Sequence, residues 1–194
     1  MHQPHGEILY LLAEISYFEK DYKNYEIRLL NILAEDENYK NKSKRDAMIN
    51  TISGNNRKAV EKFFSLYRVD SYISLNAYIQ LADLYYELGE NKKALEFSAL
   101  AVITSFTKIN ETLESRNIEY KTNSLSKFLQ ECSFYSDIVE WGNKNDVWKS
   151  FTQFTRISLA NGYKEFSREL LRVLVKDLPD VYWQKNAVLL LENM

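Results

Sequence analysis

Leu81-Ala82-Asp83-Leu84-Tyr85-Tyr86-Glu87-Leu88-Gly89-Glu90-Asn91-Lys92-Lys93-Ala94-Leu95 is the stretch whose reading decides the fold. Apolar residues recur at helical spacing on both sides of Gly89, so the stretch reads as two helices joined by a tight turn. Gly89 can take the left-handed conformation that ends a helix at low cost. Ala82, Ala94 and Ala101 are small enough for two helix backbones to approach closely, while Tyr78, Leu81 and Tyr85 fill the space beside them.

The same pattern recurs along the chain. The small-residue position of the second helix falls at Tyr25, Ala59, Ala94 and Ser167, at intervals of 34, 35 and 73 residues. Leu29, Phe63, Ser98 and Leu171 follow four residues later, then Ile32, Leu66, Ala101 and Leu174. A first pair of helices is expected at 6–39, with Ile8, Leu11, Leu12, Ile15 and Phe18 as the apolar face of its first helix and Asp21 capping its second. A weaker pair is expected at 40–73, turning at Ser53-Gly54-Asn55-Asn56, where Gly54 ends one helix and an Asn caps the next. The quoted stretch anchors a third pair at 74–108. A fifth, at 148–181, carries Phe151, Phe154 and Ser158, then Gly162 at the turn, then Ser167, Leu171 and Leu174, with Thr155 in the small position and Pro179 after the end. Between them, 109–147 holds a degenerate fourth pair: Ser124–Trp141 reads as one helix stopped by Gly142, and 110–123 as a short helix or loop. Asp180 caps a last helix, 181–193, whose Leu189-Leu190-Leu191 exceeds what a one-sided cap requires and suits either burial or a contact with another subunit.

Helix pairs at this period resemble the tetratricopeptide repeat, and the resemblance is strongest at 74–108. It implies an all-α, right-handed superhelix of antiparallel helix pairs, one domain over 1–194 closed by a C-terminal capping helix. It also implies a non-catalytic scaffold or adaptor that holds a peptide or helix of a partner protein on its concave face, which first helices line. The inward-facing positions are then Tyr10, Glu14, Tyr17 and Phe18; Lys44, Met48 and Thr51; Asn76, Ile79, Asp83, Tyr86 and Glu87; and Lys149, Thr152, Arg156 and Leu159. Members that grip a C-terminal carboxylate use a Lys/Asn/Arg clamp there. Tyr10 and Glu14 replace it in the first pair, which argues against that specialisation.

Composition narrows the alternatives. Five Gly and two Pro are too few for a many-turned β fold. A net charge of −2 argues against a nucleic-acid module. Charge is nonetheless uneven: residues 1–40 carry a net −4 and residues 41–70 a net +4, the sole support for an RNA-binding helical array. Cys132 is alone in an apolar neighbourhood and reads as a buried, inert thiol. No phosphate loop, nucleophile elbow or metal-binding helix motif occurs, so no catalytic residue, metal or cofactor is expected. No apolar run is long enough for a membrane span, and Met1-His2-Gln3-Pro4-His5 lacks the basic and apolar regions of a signal peptide. These features favour the cytoplasm, with an envelope-associated assembly factor as the second reading if an N-terminal segment has been removed.

Overall fold

A computed structural model describes residues 4–54, 58–122 and 124–194, and every regular element among them is an α-helix. The order is α1 (Pro4–Phe18), α2 (Tyr22–Leu33), α3 (Glu37–Lys40), α4 (Lys42–Ser53), α5 (Ala59–Leu66), α6 (Leu75–Glu87), α7 (Asn91–Arg116), α8 (Leu125–Ser133), α9 (Ser136–Lys144), α10 (Val147–Ala160), α11 (Lys164–Asp177) and α12 (Val181–Glu192).

Local chemistry sets the boundaries. The Asp21 carboxylate accepts from the Asn24 N–H at 3.1 Å and starts α2. Asp180 does the same for α12, accepting from the Trp183 N–H at 2.9 Å. Gly89 (φ +74°) and Gly162 (φ +85°) stand in the left-handed region at the α6–α7 and α10–α11 turns, where an L side chain would be strained. At the α4–α5 turn Gly54 is extended (φ −70°, ψ 128°), and Lys58, not an Asn, occupies the left-handed position before α5. Asn55 and Asn56 lie outside the described residues.

Three hairpins pack as units: α1 on α2, α6 on α7, and α10 on α11. They also meet one another directly, through α2 against α6 and α10 against α7, while α12 covers α11 and α10. The two weaker segments do not lie between them in chain order. α4 packs on α5, as the pair at 40–73 requires, and also on α7; α5 packs further on α11 and α8, and α8 on α9 and α11. Aromatic side chains explain this placement. Phe63 of α5 meets Phe154 and Phe166 at ring separations of 5.4 and 6.0 Å, and Phe64 meets Phe106 and Phe151 at 5.1 and 5.8 Å. Phe106 in turn lies 4.5 Å from Phe128 of α8. These buried rings belong to one continuous core, where aromatic pairs contribute beyond their area alone.

The region 109–147 differs from expectation. α7 runs without interruption to Arg116, because Ile109 and Leu113 stay buried along its face. The segment expected as one helix is broken at Phe134 and Tyr135 into α8 and α9. Gly142 does not stop a helix; it sits inside α9, where the Trp148 indole packs against its bare Cα.

The largest surprise is α1. Its apolar face points outward: Ile8, Leu11, Leu12, Ile15 and Phe18 are all exposed. The helix meets the body through Ala13 and Ser16, which are buried, and through the half-buried Leu9 and Tyr10. In α12, Ala187 is buried and Leu190 and Leu191 pack on the core, while Leu189 is exposed. Among the described residues no helix is long and apolar enough to cross a membrane.

Candidate binding cleft

Six of the residues expected to face a partner converge on one cleft of about 430 Å³. α1 contributes Glu14, Tyr17 and Phe18; α6 contributes Asp83 and Glu87; α10 contributes Lys149. Gln80 and Leu84 of α6 and Tyr25 of α2 complete the wall. The direct contact of the first and third hairpins makes this possible, since it brings α1 and α2 beside α6.

The cleft has an aromatic side and an acidic side. Tyr17 is the hub of the first, with ring centroids 5.2 Å from Tyr25, 6.1 Å from Tyr22 and 6.3 Å from Phe18. Glu14 stands one turn before Tyr17 on the same helix, and Asp83 and Glu87 come from α6. Asp83 is engaged: its Oδ2 accepts from Lys149 Nζ at 2.7 Å, bridging α6 and α10 with both side chains largely buried. Burial disfavours the Lys149 ammonium, but the hydrogen bond and charge of Asp83 outweigh it and hold its pKa above the ordinary lysine value. Glu14 and Glu87 are exposed and enter no salt bridge among the described residues. The Tyr25 phenol is pushed well above its usual range, first by burial and then by the negative charges of Asp83, Glu87 and Glu14. The cleft thus concentrates negative potential next to exposed aromatic faces, an arrangement that suits a cationic or amphipathic segment better than a carboxylate.

The other expected positions lie elsewhere. Met48 (1% exposed), Ile79 (6%) and Thr152 (1%) belong to the core and offer no surface to a partner; each turns toward its packing neighbours rather than toward a groove. Tyr10 is a strut: its hydroxyl donates to the Ile73 carbonyl at 3.3 Å and accepts from the Ala77 N–H at 3.2 Å, and burial pushes its pKa up to about 12. Lys44 lines a separate depression with Asn38 and Asp70, and its ammonium donates to Asn38 Oδ1 at 2.9 Å. Thr51 is within 2.8 Å of the Tyr67 hydroxyl. Asn76 is exposed, and Tyr86, Arg156 and Leu159 are half-buried, all outside the cleft.

On α6 the cleft face is Gln80, Asp83, Leu84 and Glu87, an i, i+3, i+4, i+7 stripe. The expected face (Asn76, Ile79, Asp83, Tyr86, Glu87) shares Asp83 and Glu87 with it, while Gln80 and Leu84 stand in the cleft in place of Ile79 and Tyr86, so the helix is turned partway toward the neighbouring stripe. Nothing in the sequence marked Tyr25, which occupies a position read as close-packed.

An uncharacterized protein of Treponema pallidum (strain Nichols) is 27% identical to the chain over 188 residues, covering 93% of this chain and 49% of that protein. The chain therefore spans about half the length of the relative it matches. No family model matches the chain. No solved structure matches it.

Proposed function

We propose that the chain is a non-catalytic protein-interaction module that holds a peptide or helix of a partner protein in the cleft between α1, α2, α6 and α10. The observation that carries this is the convergence of exposed aromatic and acidic side chains from separate hairpins on one concavity: Glu14, Phe18 and Glu87 gain little for stability by standing there uncovered, and Tyr17 leaves much of its ring open beside them. In this reading the hairpins α1–α2, α6–α7 and α10–α11 form a short tetratricopeptide-like superhelix closed by α12, and α3–α5 and α8–α9 pack against it and share its core through Phe63, Phe64 and Phe128. Small residues at the helix crossings support that kinship: Ala82 and Ala94 are buried where α6 meets α7, and Ser167 is buried at the corresponding place in α11.

The RNA-binding alternative loses ground on geometry. Of the basic segment 41–70, Arg45 pairs with Glu96 at 3.5 Å, Arg68 donates to the Phe64 and Tyr67 carbonyls at 2.6 Å, and Lys44 is engaged as described, so three of its cations are held by the protein's own groups rather than presented together to a phosphate backbone.

The test is a photo-cross-linking side chain placed at position 17, with position 172 on α11 as control, in native cells. Capture from 17 alone is expected, and Tyr17→Ala plus Glu87→Lys should weaken affinity capture of the same protein with the helical content unchanged. Equal capture by the variant would move the binding surface off this cleft.

A further inference from the structure

The outer wall of the cleft continues into a surface that the fold leaves unpartnered. On α1, Ile8 (53% exposed), Leu11 (60%), Ile15 (49%) and Phe18 (81%) follow the spacing of alternating three and four residues that defines a helix–helix seam, and Leu12 widens it. The helix is held to the body from its opposite side, by the buried Ala13 and Ser16, so the seam faces straight outward. A single exposed leucine needs no explanation, but five large apolar side chains in one stripe mark an interaction surface.

The charges beside the stripe select its occupant. Glu7, Glu14 and Glu19 border it and are exposed. The nearby Arg28 donates to the Leu12 carbonyl and the Ser16 hydroxyl, which holds its guanidinium toward the Ser16 side of the helix, where the body attaches. A second copy of the chain fits poorly. Two-fold antiparallel pairing would match Ile8 with Phe18 and Leu11 with Ile15, yet set Glu14 beside its own copy near the axis, uncompensated. An anionic membrane surface is opposed by the same acids.

We infer that the outward stripe of α1 docks an amphipathic helix of another protein whose apolar seam is flanked by Lys or Arg. The inference rests on the interaction-module reading and names the partner's chemistry at that site. α1 has 15 residues and so spans about 22 Å, room for about two heptads of partner helix. Phe18 belongs to both the stripe and the cleft, so the partner's basic flank lies along Glu14 and reaches toward Glu87.

The experiment uses a labelled peptide of two heptads with Leu in the seam and Lys on both flanks, and a counterpart with Glu on the flanks. Binding to the full chain is followed by fluorescence anisotropy. The Lys peptide is expected to bind at least about ten-fold more tightly than the Glu peptide at low salt, with the ratio shrinking as salt is added. Leu11→Ser plus Ile15→Ser, which changes only exposed side chains, should weaken the Lys peptide by about ten-fold with an unchanged circular dichroism spectrum. Equal affinity for the two peptides, or binding that survives the serine variant, overturns the inference. So does a dimer in sedimentation, or co-sedimentation with phosphatidylcholine or phosphatidylserine vesicles, that the serine variant abolishes. If the serine variant still yields the cross-link from position 17, the interaction module stands and the assigned docking helix alone fails.

Discussion

Adding one methyl group at Gly142 should destabilise this protein through a single identifiable overlap. A Cβ built there lies 2.5 Å from Trp148 Cζ2 and Nε1, far inside van der Waals contact. The indole cannot swing away, because Trp148 is fully buried and its Nε1 donates to the Val139 carbonyl at 3.2 Å. Three effects set the size. Overpacking of a tight core costs about 1–3 kcal/mol. Losing or bending the buried Trp148–Val139 hydrogen bond costs about 1–3 kcal/mol. Against these, alanine inside a helix gains about 1 kcal/mol over glycine. The net for Gly142→Ala is a loss of about 3 kcal/mol, or about 6–12 °C in Tm for a chain of this size. Thermal unfolding followed by circular dichroism measures it. Gly89→Ala is the comparison: φ is +74° but no atom lies within 4 Å of the added Cβ, so only backbone strain of about 1–2 kcal/mol applies. A double-mutant cycle isolates the cause, since Gly142→Ala should cost much less when combined with Trp148→Phe. A Gly142→Ala protein as stable as the parent, or a cost unchanged beside Trp148→Phe, would refute the reasoning.

Two further outcomes follow from the charges. Lys149→Met should lower stability by about 1 kcal/mol and raise the salt sensitivity of unfolding little, because the pair it breaks is mostly shielded from solvent and leaves Asp83 without its cation; urea titration at two salt concentrations checks both. Hydrogen bonds from the Asn24 side chain and N–H hold the Asp21 carboxyl below the usual carboxylate range, as the hydrogen bond from Arg116 does for Asp137. A depressed carboxylate stabilises the fold above the unfolded-state value and loses that contribution as pH falls through the folded one. Asp21→Asn plus Asp137→Asn should therefore flatten the fall in Tm below about pH 5, measured against the parent.

Periodicity was a sound guide to which residues share a helix face and a poor guide to where that face points. Ala82, Ala94 and Gly89 are legible because a close crossing and a left-handed turn each demand a particular residue type. The spacing marks Ile8, Leu11, Leu12, Ile15 and Phe18 as one apolar face of α1 but not which way it points; only the tertiary contact of Ala13 and Ser16 decides the direction. The break at Phe134 and Tyr135 carries no Gly or Pro, so the apolar pattern ran through it unmarked. A glycine at 142 reads in sequence as a helix stop, whereas its role is to admit an indole that follows six residues later. Of the cleft, the α1 wall and Asp83, Glu87 and Lys149 were visible from the repeat register. Gln80, Leu84 and Tyr25 were not, because they depend on the rotation of α6 and on which hairpins touch.

The direct meeting of the first, third and fifth hairpins has a kinetic consequence. Ties such as Tyr10 to Ala77, Glu26 to Tyr85, Asp83 to Lys149 and Asn91 to Asn161 join residues 59 to 70 positions apart. In an array whose units touch only their sequence neighbours, folding can start anywhere and spread. Here large loops must close before the hairpins stabilise one another, so the chain is expected to fold more slowly than a helical array whose contacts are all between sequence neighbours.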